Sequence, residues 1–370
     1  MDLNLDYRLF NYSVTFLPLL LAGVISSFAI TCLSIPTIVR IARYRKLVDI
    51  PNHRTSHKTE VPVLGGLAIF AGFSISSILF TSLSDSPNIR FLMGGIIILF
   101  LLGLKDDILM LDPKKKVLGQ IFAAAIVVIL GNIRVSDFHN ILGITSVGYI
   151  PGIIFTIFLL LVFINGFNLI DGVDGLSSGL AILASLMLGA WFCRSGHYNE
   201  AIISGCMVGT LSAYFIFNVT GTENKIFMGD TGAMIVGLIL SFLSVRFLEL
   251  ERTSAENLRL QSAPAVLFGL FFVPFFDMIR VVVVRISKRT SPFRADKKHI
   301  HHLLLRFGLS HLAVSLILIG ADLFFLLLLF LLQPLGGFTA IVLSLLLATI
   351  MSGILHFFMR KKNLKSDTSE

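Results

Sequence analysis

Long apolar stretches recur along the whole chain and limit what it can fold into. Only 14% of its 370 residues are charged, and its mean hydropathy is +0.87, whereas soluble domains carry roughly 25% charged residues. Crossing a bilayer takes about 20 apolar residues, and helices satisfy their own backbone hydrogen bonds in lipid. The sequence therefore predicts an all-α polytopic membrane protein with about eleven transmembrane helices. The predicted spans lie near 14–35, 63–82, 91–104, 117–131, 149–166, 176–193, 200–217, 231–248, 264–284, 311–332 and 337–359.

The positive charges predict how the chain is oriented in the membrane. If the amino terminus is outside, the inner segments hold 22 of the 30 Lys and Arg residues. Cytoplasmic loops are enriched in these residues, so we expect the amino terminus outside and the carboxyl terminus inside. The net charge of +8 then reflects membrane orientation rather than binding to nucleic acid. The inner segments are 36–62, 105–116, 218–230, 285–310 and 360–370.

The chain is expected to form a single domain over residues 1–370, with 361–370 a disordered tail. Its three cysteines, Cys32, Cys193 and Cys206, lie in predicted spans without CxxC spacing. We expect them to be buried apolar residues rather than disulfide partners or metal ligands.

The segment NGFNLIDGVDG, at 165–175, is the most informative polar cluster. It places Asn165, Asn168, Asp171 and Asp174 three residues apart, with glycines between them. Charged groups near membrane depth are costly and are therefore functional candidates. The four side chains share a face only if the segment is helical, and two Asp-Gly pairs favour a partial turn. Amide and carboxylate oxygens are suitable ligands for Mg²⁺, with phosphate completing its coordination. The alternative interpretation is a glycine-rich turn with no catalytic or binding role.

A second cluster, Lys105-Asp106-Asp107, ends the third predicted span. Adjacent carboxylates repel each other, which raises a pKa unless a cation compensates. Lys105 and a divalent cation would provide that compensation. One carboxylate could then orient or deprotonate an attacking phosphate while the other supports the site. The alternative is an interfacial cap that only ends the helix.

The segment FMGDTG, at 227–232, precedes the eighth predicted span. Asp230 is either the N-cap of that helix or a metal ligand, and the two roles are compatible. A helix amino terminus that faces phosphates also contributes a positive field. Phe227 could stack on a base or serve only as an interfacial anchor.

The loop 285–310 carries seven Lys and Arg residues together with His299, His301 and His302. This composition is typical of a phosphate-binding surface. Anchoring by the positive-inside rule explains the Lys and Arg residues but not three closely spaced histidines. Zinc is a poorer fit because no cysteine or fourth ligand lies nearby.

Taken together, these segments resemble the polyprenyl-phosphate N-acetylhexosamine-1-phosphate transferases, the WecA/TagO/MraY-type superfamily, over nearly the whole chain. The string HIHH followed by LLLRFG looks like the WecA/TagO branch, since the peptidoglycan branch more typically shows a PIHHHFE-like string. The motifs are HKTEVPVLGG (57–66), GLKDDILMLDPKKKVLGQ (103–120), NGFNLIDGVDGLSSG (165–179), FNVTGTENKIFMGDTG (217–232) and SPFRADKKHIHHLLLRFG (291–308).

The resemblance implies a reaction and a set of site residues. An N-acetylhexosamine 1-phosphate, foremost that of N-acetylglucosamine, would pass from a UDP-sugar to undecaprenyl or another polyprenyl phosphate, with release of UMP. This is the initiating step of cell-envelope polysaccharide synthesis, at the cytoplasmic face of a bacterial inner membrane, with Mg²⁺ or a substituting Mn²⁺. The implied catalytic residues are Asp106, Asp107, Asp171, His301 and His302; the implied metal ligands are Asn168 and Asp230; and the implied substrate contacts are Lys58, Lys116, Asp174, Asn218, Phe227, Arg294 and His299.

Two other functions are compatible with parts of this pattern. A phospho-N-acetylmuramoyl-pentapeptide transferase of peptidoglycan synthesis is the nearer one. A transporter would instead place charges at the membrane midplane, whereas the ionisable clusters here crowd one face. Nucleic acid is not an expected partner, and a homodimer is one oligomeric option. The mechanism is also open between a covalent intermediate on Asp106 and direct attack by the lipid phosphate, which we favour because that phosphate is already anionic.

Overall fold

The computed structural model describes residues 3–49, 60–141, 143–287, 289 and 299–367, and these are predominantly helical. The only strands among them form a short antiparallel pair, β1 (Val48–Asp49) and β2 (Val61–Pro62), with Val48 opposite Pro62. The helices are α1 (Leu3–Tyr44), α2 (Gly65–Phe80), α3 (Asn88–Leu109), α4 (Pro113–Ala125, continued by a π-helical turn Ile126–Leu130), α5 (Tyr149–Ile170), α6 (Leu176–Arg194), α7 (Tyr198–Val219), α8 (Gly229–Glu251), α9 (Ala263–Leu270), α10 (Phe272–Ser287), α11 (Ile300–Arg306), α12 (His311–Leu332) and α13 (Gly337–Asp367).

The predicted class, an all-α polytopic membrane protein, is confirmed. Within the described chain, seven helices are long and apolar enough to cross a membrane: α1, α5, α6, α7, α8, α12 and α13. An eighth span results if α9 and α10, which bend by 67° at a short break, are counted as one. The predicted spans near 63–82, 91–104 and 117–131 correspond to α2, α3 and α4. Because α2 has 16 residues, it rises only about 24 Å, short of a roughly 30 Å hydrocarbon core. The total of eleven spans therefore stays a prediction.

The helix α8 forms the centre of the bundle. Between Thr231 and Leu248, every residue except Arg246 is buried, as expected for a helix that is apolar on all sides. The helices α3 and α5 each pack closely against α8 because a glycine lies at each contact. A Cβ on Gly103 of α3 would lie 2.4 Å from the Cα of Thr231 in α8, and a Cβ on Gly237 of α8 would lie 2.6 Å from the Cα of Ile164 in α5. Such contacts let helix backbones pack closely in a membrane. They bring the ends of α3 and α5 to the start of α8.

The start of α4 is fixed locally by its own sequence. Pro113 occupies the first turn, where its missing N–H is not needed. The Asp112 carboxylate accepts a hydrogen bond from the backbone N–H of Lys114 at 2.9 Å. This cap begins the helix just before Lys116 and so sets where that side chain emerges.

At the carboxyl end, the backbone of α13 is helical through Asp367, well into the segment 361–370 that we expected to be disordered. This stretch contains no Gly or Pro, and its lysines are good helix formers.

Candidate active site

The ends of α3 and α5, the loop after α5 and the start of α8 surround one cavity of about 600 Å³. This volume suits a small-molecule substrate, for which pockets of roughly 300–1,000 Å³ are usual. Nine of the predicted site residues line the cavity: Asp106, Asp107, Asn168, Asp171, Asp174, Asn218, Phe227, Asp230 and His302.

Lys116 connects two of these carboxylates. Its Nζ lies 2.8 Å from Oδ2 of Asp106 and 2.7 Å from Oδ2 of Asp230. The other oxygen of Asp106 accepts a hydrogen bond from the backbone N–H of Leu111 at 2.6 Å, and the residue is only 8% exposed. One ammonium from α4 thus compensates carboxylates from α3 and α8, and both oxygens of Asp106 are engaged.

Asn168 and Asp230, the predicted metal ligands, are direct neighbours. The amide nitrogen of Asn168 donates a hydrogen bond to Oδ1 of Asp230. Because the nitrogen serves this bond, the amide oxygen is the atom of Asn168 suited to a cation. The structure therefore brings together one amide and one carboxylate from two different helices.

Asp171 follows α5 and faces an excess of negative charge. Burial, reinforced by the carboxylates of Asp230, Asp107 and Asp174, raises the pKa of Asp171 well above its usual value. Among the described residues, no hydrogen-bond donor or cation pairs with its carboxyl group. The wall of the cavity around Asp171 is thus electrostatically suited to an added cation.

The oxygen ligands of this cavity suit Mg²⁺ that is bound together with a substrate phosphate. No group of three His, Cys, Asp or Glu side chains in the described part of the chain is arranged to hold a metal ion alone. Mg²⁺, however, is commonly bound by one or two protein oxygens, with water and substrate phosphates completing its shell. Asn168 and Asp230, with the under-compensated Asp171 nearby, fit that mode of binding.

Asp107 caps the helix that carries Asp230. Its Oδ1 accepts a hydrogen bond from the backbone N–H of Asp230 at 2.7 Å, and its Oδ2 accepts bonds from the backbone N–H and the hydroxyl of Thr231. The sequence suggested Asp230 itself as the N-cap of this helix. The cap instead comes from α3, which leaves the Asp230 side chain available to Lys116 and Asn168.

Asn218, predicted to lie near uridine, lines the cavity but uses its amide on the backbone. Its oxygen accepts a hydrogen bond from the N–H of Gly175 at 2.7 Å, and its nitrogen donates to the carbonyl of Ile226 at 3.0 Å. Asn218 therefore ties the loop after α5 to the segment before α8.

Asp174 and Phe227 form another part of the cavity wall. Oδ2 of Asp174 lies 2.6 Å from Nζ of Lys225 and 3.4 Å from Nδ1 of His311. The same ammonium lies 6.0 Å from the centre of the half-buried Phe227 ring. An aromatic face next to a basic side chain suits a nucleobase with an attached phosphate.

The three predicted histidines have different surroundings. His299 is 5% exposed, and its Nδ1 lies 2.8 Å from Oδ2 of Asp277, so it anchors the start of α11 to α10. His301 is buried and stacks on His299 with ring centres 5.5 Å apart. Burial, with a contribution from His302, lowers the pKa of His301 to about 3, so its ring is neutral. Of the three, His302 alone is on the cavity wall.

Two predicted substrate contacts, Lys58 and Arg294, lie outside the described residues. Conversely, the structure adds Lys46 and Tyr214 to the cavity wall, and Lys225 and Thr231 as partners of its carboxylates. Lys46 belongs to a basic run after the first span, where anchoring is the simplest explanation. Tyr214 lies in the apolar run of α7, where no local signal distinguishes it.

These features define the class as a polytopic membrane protein with an acidic, amide-containing cavity at one end of its bundle. The family model described as glycosyl transferase family 4 matches residues 89–248, from α3 through most of α8. A Bacillus subtilis (strain 168) protein, named a probable undecaprenyl-phosphate N-acetylglucosaminyl 1-phosphate transferase, is 30% identical over 310 residues, which cover 83% of this chain and 81% of that protein. The undecaprenyl-phosphate alpha-N-acetylglucosaminyl 1-phosphate transferase of Escherichia coli (strain K12) is 28% identical over 303 residues, 81% of this chain and 80% of that protein.

The chain therefore belongs to the polyprenyl-phosphate N-acetylhexosamine-1-phosphate transferase family of the WecA/TagO/MraY type, as its motifs predicted.

Proposed function

We propose that the protein transfers N-acetylglucosamine 1-phosphate from UDP-N-acetylglucosamine to undecaprenyl phosphate and releases UMP. The observation that carries this function is the 30% identity to the Bacillus subtilis relative, which extends over 83% of the chain. The convergence of Asp106, Asn168 and Asp230 on one cavity supports it independently. The names of both relatives favour N-acetylglucosamine over the muramoyl-pentapeptide donor of the peptidoglycan branch.

The reaction joins two anions, so charge compensation matters more than a strong base. An oxygen of the lipid phosphate forms a bond to the phosphorus that bears the sugar, and the bond from that phosphorus to UMP breaks. Asp106 is placed to orient the acceptor phosphate or take a proton from it. Since both of its oxygens already hold hydrogen-bond partners, Asp106 is poorly suited to form a covalent intermediate.

Asn168 and Asp230 would hold Mg²⁺, with Mn²⁺ as a substitute. When bound, the ion would supply positive charge against the donor pyrophosphate. Lys116 keeps the two carboxylate-bearing helices in register, and Asp107 fixes the start of α8. These residues orient the reacting groups, which itself contributes to the rate.

The proposed location is the cytoplasmic membrane of a bacterium, with the cavity open to the cytoplasm. Its walls come from segments near 105–116 and 218–230, which the positive-inside rule places inside.

A single cysteine at Lys115 should therefore be protected from an impermeant thiol reagent in intact cells, whereas one at Asn257 should react. Labelling at position 115 from outside would reverse this orientation. A homodimer also stays a prediction.

A broken span is a feature of transporters as well, and α9 and α10 form one. Here the break has a structural explanation. The buried Asp322 of α12 accepts a hydrogen bond from the backbone N–H of Val273 at 2.8 Å and so caps the start of α10. The carboxyl group of Asp322 is thus used for capping, and the cavity lies elsewhere, at the ends of α3 and α5 and the start of α8.

The deciding experiment is a donor panel. Detergent-solubilised protein would be incubated with undecaprenyl phosphate and UDP-N-acetylglucosamine, UDP-N-acetylgalactosamine or UDP-N-acetylmuramoyl-pentapeptide, and UMP and lipid-linked sugar would be measured. We expect N-acetylglucosamine to give the fastest lipid-dependent release of UMP. A preference for the muramoyl-pentapeptide donor would assign the peptidoglycan branch, and no transfer from any donor would contradict the proposed function.

A further inference from the structure

A second polar layer lies one helical turn deeper than the site. Gln120 follows Lys116 by four residues in α4, and Met234 follows Asp230 by four residues in α8. Asn165 precedes Asn168 by three residues in α5. Residues at these spacings share a helix face. The three side chains therefore repeat, at greater depth, the helix arrangement that brings Lys116, Asn168 and Asp230 together.

Gln120 and Asn165 form a reciprocal amide pair in this layer. The nitrogen of Asn165 donates to Oε1 of Gln120 at 3.0 Å, and the nitrogen of Gln120 donates to Oδ1 of Asn165 at 3.4 Å. The second N–H of Asn165 is bonded to the carbonyl of Leu161 at 2.8 Å, and the nitrogen of Gln120 also lies 3.3 Å from the sulfur of Met234. Both nitrogens thus have two acceptors each.

The burial of Gln120 restricts how α4 can be placed against α5. Gln120 is completely buried, and an amide without partners is costly in an apolar interior. Rotating α4 by one residue turns its side chains by about 100° and would separate the two amides. Asn165 is half-buried, and every side-chain hydrogen-bonding group of the pair has a partner, so the pair favours one arrangement of its helices.

We propose that the Gln120–Asn165 pair is a positioning device that sets α4 against α5 and α8, so that Lys116, Asn168 and Asp230 meet. It gives Asn165, the first polar residue of NGFNLIDGVDG, a role distinct from that of a ligand. The pair acts on cation binding through Asn168 and Asp230, and in this respect the inference rests on the proposed function.

The test removes both amides together. In the double variant Gln120→Met/Asn165→Leu neither group is left unpaired, so it should fold and unfold at nearly the wild-type temperature. Binding of Mn²⁺ would be followed by the EPR signal of the unbound ion, in detergent-solubilised protein with UDP present. We expect the affinity for Mn²⁺ to fall by roughly tenfold or more, as for other residues that orient metal ligands.

Two further variants separate positioning from stability. The exchange Gln120→Asn/Asn165→Gln preserves an amide pair of the same total length and should retain most of the affinity. Gln333→Met removes another buried amide, which bonds Ser262 and Phe330 outside the cavity, and should leave Mn²⁺ binding unchanged.

The outcomes distinguish this inference from the proposed function. A folded Gln120→Met/Asn165→Leu protein with wild-type affinity for Mn²⁺, or wild-type protein that does not bind Mn²⁺ at all, would overturn the positioning role. Wild-type protein that binds Mn²⁺ but transfers no sugar phosphate would contradict the proposed function, while the loss of affinity in the double variant would still support the inference.

Discussion

The Asp107 carboxylate on α3 holds the backbone N–H of Asp230, the second residue of α8, at 2.7 Å. The cap and the proposed metal ligand are thus far apart in sequence but adjacent in space. A negative group at a helix amino terminus stabilises the helix through its unpaired N–H groups and its dipole. The Asp107 carboxylate therefore both stabilises the start of α8 and fixes the backbone from which the Asp230 side chain extends.

The first prediction follows from this cap. Asp107→Ala should destabilise the protein by about 1 kcal/mol and lower kcat by roughly tenfold, because Asp230 loses its support. Thermal unfolding and UMP release would be measured on the same preparation. Ser310→Ala removes the cap of α12, where the serine hydroxyl accepts from Ala313 N–H at 3.3 Å, and should lower stability but not kcat. Equal kcat losses in both variants would contradict a specific role for Asp107.

The second prediction concerns the ammonium between Asp106 and Asp230. Lys116→Met leaves two close carboxylates uncompensated, so we expect turnover to fall by roughly a hundredfold. The neighbouring Lys115 is exposed, and Lys115→Met is the matched control that should keep near wild-type activity. If both substitutions had the same small effect, the ion pairs of Lys116 would be irrelevant to catalysis.

The third prediction tests the proposed metal ligands. Asp230→Asn and Asn168→Ala should each reduce turnover to below about a tenth of wild type, a barrier increase of more than roughly 1.4 kcal/mol. EDTA should abolish activity, and Mg²⁺ or Mn²⁺ should restore it. Glu223→Gln alters an exposed acid before α8 and serves as the control. Rescue by zinc alone would overturn the magnesium assignment.

The fourth prediction uses the buried ring of His301, whose pKa falls from an ordinary 6.5 to about 3 in the folded protein. Below pH 6.5 the unfolded state takes up this proton first, so folding stability should decrease as the pH falls, by at most roughly 1.4 kcal/mol per pH unit from this group. His301→Gln should flatten the dependence of the unfolding temperature between pH 6.5 and 5. Parallel curves for wild type and His301→Gln would show that the ring is not held neutral.

Local sequence patterns account for much of this site, and long-range packing for the rest. Hydropathy predicted the helical class, and the spacing within NGFNLIDGVDG drew attention to Asn168 and Asp171. That Asp107 caps α8, or that Lys116 joins Asp106 to Asp230, depends on how α3, α4 and α8 pack, which no local pattern records. The histidines show the same limit: their composition suggested phosphate contact, but only His302 lines the cavity, whereas His299 and His301 are buried.

The last prediction decides between direct attack and a covalent intermediate on Asp106. Because Leu111 N–H and Lys116 already engage both oxygens of Asp106, we expect the lipid phosphate to attack directly. One pyrophosphate linkage replaces another, so the reaction should be reversible, and labelled UMP should exchange into UDP-N-acetylglucosamine when undecaprenyl phosphate is present. Direct attack requires this exchange to vanish in rigorously delipidated protein, because no acceptor can carry the phosphosugar. Robust exchange without lipid that is lost in Asp106→Asn would instead establish the covalent intermediate.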